Sequence, residues 1–130
     1  MILPVTLTAA AVAALINIWL AVRVGRLRIA GKVFHGDDGG GPLTRRMRAQ
    51  LNYVENTAFV LILIAAIEIA GRGGTWLSVV AGIYMLGRVA HAIGMDAEGP
   101  ARPRQIGTIT TLLTQLGLAV VAVLVAAGRM

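Results

Sequence analysis

Polar side chains recur every three or four residues at the start of one hydrophobic segment. In RRMRAQLNYVENTAFVLILIAAIEIA, residues 45–70, they are Arg45, Arg48, Asn52 and Glu55. On an α-helix this spacing places all four along one face. Arginines at the edge of a membrane serve as topology signals, which accounts for Arg45 and its neighbours. It does not account for an amide and a carboxylate further in, which should face the protein interior and have a partner.

A second set of polar side chains lies in the later hydrophobic segments. One helical face carries Tyr84, Arg88, His91 and Met95, the last segment opens with Arg104 and Gln105, and the first ends near Arg26. These cations outnumber the single carboxylate available at that level, so an anionic ligand is the natural complement. A structural ion pair within the protein is the alternative.

The elements that carry these residues are predicted to cross a membrane. Of the 130 residues, 57% are hydrophobic and only 14% are charged, whereas about a quarter are charged in soluble domains. Because a helix needs ~20 apolar residues to span a bilayer, the chain accommodates four spanning helices and little else. We therefore predict an all-α, integral membrane four-helix bundle forming a single domain over 1–130, with helices at about 3–30, 44–70, 75–95 and 105–128.

The first hydrophobic segment is predicted to be a retained helix rather than a secretory signal, because its basic residues follow it. The sequence has no cysteine, so any thiol chemistry requires a thiol that arrives with a ligand. His35, Asp37 and Asp38 lie in a Gly-rich loop typical of solvated residues. No metal site is predicted.

The basic residues predict the orientation of the bundle. Of 12 Lys and Arg residues, most flank the first and third loops, while the short second loop contains only Arg72. Loops rich in Lys and Arg stay in the cytoplasm, so loops one and three are expected there and both termini outside. Since topology accounts for most of the net charge of +6, no nucleic-acid partner is predicted.

Local signals also predict helix ends and contacts. Thr44 is expected to cap the second helix after Pro42, and Glu68 to pair with Arg72 at i, i+4. The fourth helix carries small or hydrogen-bonding side chains of the kind found at helix contacts in lipid, namely Gly107, Thr111, Thr114 and Gln115.

The motifs RAQLNYVE and GRVAHAIGM, together with an arginine that opens the fourth helix, resemble the MAPEG family. Its members are membrane-associated proteins in eicosanoid and glutathione metabolism, and they include microsomal glutathione transferases, leukotriene and prostaglandin E synthases and small bacterial proteins. The resemblance covers the whole chain. The loop VGRLRIAGKVFHGDDGG is most similar to the bacterial branch, which implies a bacterial inner-membrane location.

The resemblance implies a homotrimer that binds glutathione between subunits near the cytoplasmic side and acts on a lipophilic small-molecule substrate. It implies that Arg104 is catalytic because it stabilises the glutathione thiolate. Family members hold glutathione through residues that match Arg26, Arg48, Asn52, Glu55, Arg88, His91 and Arg104.

The sequence departs from the active synthases at two positions. Where these often carry tyrosines, this chain has Asn56 and Met95. The expected activity is therefore a glutathione transferase or peroxidase that relies on arginine, and the alternative is a non-catalytic trimer that binds glutathione or a lipid anion. A small multidrug exporter is disfavoured because residues 2–22 contain no acid, and Asn17 is their only strongly polar side chain.

Overall fold

A computed structural model describes residues 1–130 as four α-helices without β-strands. All four are long and apolar enough to cross a membrane, which confirms the predicted all-α class. Their bounds are α1 Pro4–Gly31, α2 Pro42–Ile69, α3 Thr75–Gly94 and α4 Arg102–Ala126.

The helices run up and down, with antiparallel neighbours. We call the end where α1 and α3 finish and α2 and α4 begin the basic end, because most arginines lie there. The helices α1 and α2 each contain 28 residues, a length of about 42 Å at 1.5 Å per residue. Since the hydrocarbon core is ~30 Å thick, the polar turns of both helices can extend into the headgroup region.

The core is centred on α3. Half of the residues in its membrane-spanning stretch are buried inside the protomer, whereas in α4 this share is 17%. Leu77 and Tyr84 of α3 are fully buried beside Val60 and Ile64 of α2. From residue 109 to 126, the exposed residues of α4 are all apolar, as expected for a helix that faces lipid.

Two glycines let α3 and α4 approach closely at the basic end. A Cβ atom on Gly94 would overlap the backbone of Arg104, and one on Gly107 would overlap the Gly87 carbonyl and His91. Small residues at such crossings allow backbone contact in membrane bundles. Gly107 therefore lies at a helix contact, as predicted, because it allows α4 to pack directly against Gly87 and His91 of α3.

The start of α2 differs from the prediction that Thr44 caps it. The helix begins at Pro42, and the carboxylate of Asp38 accepts hydrogen bonds from the Leu43 and Thr44 amides at 2.8 and 2.9 Å and from the Thr44 hydroxyl at 2.7 Å. The hydroxyl of Thr44 and these amides hold the pKa of Asp38 at about 2. A carboxylate is favoured here because the first N–H groups of a helix lack partners.

The prediction that Glu68 pairs with Arg72 was wrong. Glu68 instead accepts hydrogen bonds from the Val5 and Thr6 amides at 2.9 and 2.8 Å and from the Thr6 hydroxyl at 2.7 Å. The unpaired N–H groups at the start of α1 attract the carboxylate more directly than an exposed arginine does. Glu68 thus fastens the end of α2 to the start of α1.

Candidate functional site

Arg88 lies at the point where three helices meet near the basic end. Its side chain projects from α3, and the residue is only 1% exposed. The guanidinium donates hydrogen bonds to Asn52 Oδ1 on α2 at 2.6 Å and to Thr111 Oγ1 on α4 at 2.8 Å. One side chain therefore couples α2, α3 and α4.

The hydrogen bonds of Arg88 fix the direction of their neighbours. A guanidinium only donates, so the Asn52 atom that faces it must be the carbonyl oxygen. The Thr111 hydroxyl accepts from Arg88 and donates to the Gly107 carbonyl at 2.8 Å. The amide N–H groups of Asn52 make no hydrogen bond within the protomer and are left as donors for another partner.

No carboxylate in the protomer neutralises Arg88, because the ion pairs present all involve Asp96 at the end of the bundle. The ring of Tyr53 lies 6.0 Å from the guanidinium. The Nε atom of Arg88 and the Nδ1 atom of His91 are buried without a hydrogen-bond partner. Burying a charge is costly unless it is paired, so an anion bound close to this cluster would offset part of that cost.

The other predicted site residues lie on the surface of the protomer. Their side chains are exposed and make no ion pair or hydrogen bond, and they are Arg26, Arg48, Glu55 and Arg104. The structure thus brings Asn52 and Arg88 into contact and packs His91 against Gly107. It does not bring the exposed charges into contact with this buried cluster inside one protomer.

Arg48 and Glu55 share an outward face of α2 with large apolar residues. Leu51, Phe59 and Ile62 on this face are 58–64% exposed. Charged side chains within a membrane helix rarely face lipid and usually lie against protein or a water-filled cavity. This face of α2 therefore combines charged and large apolar side chains that nothing within the chain covers.

The start of α4 adds a positive field. Its first turn contains Arg102 and Arg104 but no acidic residue, and no side chain caps it. The N-terminus of a helix carries a partial positive charge, so the two guanidinium groups and the helix dipole reinforce one another. An anion close to Arg104 would be stabilised by all three.

The positions that carry tyrosines in active synthases are occupied differently. The side-chain amide of Asn56 donates a hydrogen bond to the backbone carbonyl of Asn52 at 2.8 Å. Its Oδ1 accepts a hydrogen bond from the Gln115 side chain at 2.7 Å. Both tyrosines are buried, and Tyr53 donates to the Ala13 carbonyl while Tyr84 shares a hydrogen bond with Thr57. Neither hydroxyl is free to serve as a proton donor at the surface.

Sequence patterns missed two parts of this arrangement. Thr111 was predicted only as a helix contact, and its bond to Arg88 joins residues 23 positions apart. No pattern singled out Asp96, which pairs with arginines 73 and 50 positions before it in the sequence. The only available signal was its place in the loop that precedes Arg104.

Residues 6–124 match the family model described as MAPEG family. The match includes every predicted site residue and most of each helix. A comparison with curated proteins found no match.

The coupling of α4 to Arg88 predicts a stability effect for Thr111→Val. This substitution keeps the shape of the side chain but leaves a buried guanidinium N–H unpaired, which costs ~1–3 kcal/mol. We expect a lower unfolding midpoint in detergent. Thr114→Val is the matched control, since the Thr114 side chain makes no hydrogen bond and lies one turn along the same helix. Equal midpoints for the two variants would show that Arg88 does not depend on Thr111.

Proposed function

Because the chain belongs to the MAPEG family, we propose that this integral membrane protein binds glutathione between copies of a homotrimer and transfers it to lipophilic electrophiles. The observation that carries the proposal is the buried guanidinium of Arg88, which has neutral partners but no carboxylate within the protomer. It lies beneath a surface that presents further unpaired charges. An anionic ligand with several functional groups would complement both the buried guanidinium and the unpaired surface charges.

The unpaired groups match those of glutathione. The tripeptide has two carboxylates, and guanidinium groups bind carboxylates through paired hydrogen bonds. Arg26 and Arg48 offer unpaired cations, and Asn52 offers N–H donors whose direction Arg88 fixes. The γ-glutamyl ammonium needs an acid, and Glu55 is an exposed carboxylate without a partner on the same face of α2.

A second copy of the chain would cover the charged face of α2. Arg48 and Glu55 are costly next to lipid, while Arg26 and Arg104 lie on α1 and α4, outside contact with them in one protomer. Packing copies together brings charges from different helices to one shared site. The number three comes from the family, whose members form homotrimers.

Arg104 is proposed to be the catalytic residue. Bound glutathione supplies a thiol that reacts as the thiolate, and the free thiol has a pKa of ~8.5. A guanidinium remains charged at any working pH, so Arg104 stabilises the thiolate without releasing a proton. The positive end of α4 acts in the same direction.

We propose that the basic end faces the cytoplasm. The first and third loops both lie there, and most of the arginines are in the helix ends that flank them. Loops with such basic flanks are retained on the cytoplasmic side. Both termini would then face outside. Because the first loop resembles those of bacterial family members, we propose a bacterial inner-membrane location.

A second candidate function, binding without turnover, is favoured by the hydrogen bonds of Asn56. Its side-chain amide is hydrogen-bonded to Gln115 and to the backbone carbonyl of Asn52. No tyrosine hydroxyl is available in its place. A non-catalytic trimer that binds glutathione or a lipid anion would need no proton donor at this position. Measurement of the ionisation of the bound thiol separates the two functions.

Arg104→Ala tests the transferase. In the wild-type protein, bound glutathione should show thiolate ultraviolet absorbance near neutral pH. The variant should raise the pKa of the bound thiol by ~1–3 units, lose that absorbance and conjugate an aryl halide more slowly, while retaining part of its affinity. Arg102→Ala, in the same turn of α4, is the control and should change these properties less. Glutathione binding by the wild type without thiolate absorbance or conjugation would favour the non-catalytic candidate.

A pair of glutamates tests the ammonium contact. Glu55→Gln should weaken glutathione binding roughly ten- to a hundredfold, since a hydrogen bond to a charged group contributes ~1.5–3 kcal/mol. Glu68→Gln should leave affinity within about twofold and instead lower the thermal midpoint, because Glu68 caps α1 and its hydrogen bonds would be weakened. Calorimetric titration and thermal unfolding of both variants measure these effects. Equal losses of affinity would remove Glu55 from the ligand site.

A further inference from the structure

Asp96 joins three elements at the basic end. It lies in the loop 95–101 between α3 and α4, and its carboxylate pairs with Arg23 of α1 and, at 3.6 Å, with Arg46 of α2. Arg23 also donates to the Ala92 carbonyl at 3.3 Å, and its guanidinium lies 5.0 Å from the Trp19 ring centroid. We call this arrangement the Asp96 clamp.

The Asp96 clamp differs from an isolated surface ion pair. Isolated pairs contribute little because they must order two mobile side chains. Here each cation has a second anchor, since Arg46 also donates to the Arg23 carbonyl at 3.0 Å. The side chain of Arg23 is only 12% exposed, so its charge is screened less by water and salt. The carboxylate therefore holds the loop against two helices in one geometry.

The start of α4 has few other restraints. Within loop 95–101, backbone hydrogen bonds to the preceding helix end with the amide of Ala97. The N-cap residue Ala101 provides no side-chain hydrogen bond to the helix. On one side, close contacts hold Gly94 against the backbone of Arg104 and Gly107 against Gly87 and His91. On the other side, the Asp96 clamp holds the loop that leads into the helix.

We propose that Asp96 is a positioning residue for Arg104. By fixing the loop onto α1 and α2, it keeps the first turn of α4 packed on Gly94 and the Arg104 guanidinium in one place. Its single negative charge is shared by Arg23 and Arg46, while Arg26, Arg48 and Arg104 stay unpaired and open to an anionic ligand. The inference rests on the proposed function for the consequence at the thiol, but the positional part holds without a ligand.

The direction in which the pKa of the bound thiol changes when Asp96 is removed distinguishes a positioning role from a purely electrostatic one. If Asp96 acted only through its charge, removing it would make the basic end more positive and lower the pKa of the bound thiol. If it positions Arg104, removing it lets the guanidinium move away and raises that pKa. Asp96→Asn removes the charge at nearly constant size. Glu98→Gln removes an exposed acid that has no ion pair, from the same loop.

The experiment compares four full-length proteins in detergent: wild type, Asp96→Asn, Asp96→Glu and Glu98→Gln. Amide hydrogen exchange is measured for residues 105–108, and the pKa of bound glutathione is measured by thiolate absorbance. For Asp96→Asn we expect exchange about tenfold faster, since local protection falls when such a charge-assisted contact is lost. We also expect the thiol pKa to rise by about one unit. Asp96→Glu should restore both at least in part, and Glu98→Gln should match wild type.

Unchanged exchange in Asp96→Asn would overturn the inference. Faster exchange with an unchanged or lowered thiol pKa would also overturn it, because Asp96 would then hold the loop without positioning Arg104. If wild type binds no glutathione, the proposed function fails by itself. Hydrogen exchange still decides whether Asp96 holds the start of α4, because that measurement needs no ligand.

Discussion

The buried guanidinium of Arg88 is the group on which the basic end of the bundle depends. A charge in the interior needs hydrogen bonds in several directions, and Arg88 obtains them from Asn52 on α2 and Thr111 on α4. The bond to Thr111 requires α4 to approach α3 closely, which Gly107 permits. The polar contact and the small-residue packing are therefore two parts of one arrangement.

This arrangement divides the polar residues into two groups. The inner group, Asn52, Arg88 and Thr111, makes hydrogen bonds of fixed direction and leaves the Asn52 N–H groups and the Arg88 Nε–H without partners. The exposed group consists of charges that find no partner in the protomer. Buried groups of the first kind give a site its geometry, while the second kind requires a ligand or another copy of the chain. The proposed shared site for glutathione joins the two groups.

The sequence predicts the helices well because the length of a hydrophobic segment and the Gly and Pro residues that bound it are local properties. The spacing of Asn52 and Glu55 correctly places them near one side of α2, but it cannot show that Asn52 turns toward Arg88 while Glu55 remains exposed. That difference depends on how α2 is rotated against its neighbours. Glu68 shows the same limit: its nearest cation in sequence is Arg72, yet its partners are 62 and 63 residues away.

The most direct test of the shared anion site is native mass measurement of the protein with glutathione and with glutathione dimethyl ester. The ester keeps the thiol, the ammonium and the amides but has no carboxylates for the arginines. The account predicts a complex of three chains that retains glutathione and does not retain the ester. A monomer, or equal retention of both ligands, would contradict a site built from unpaired arginines of neighbouring copies.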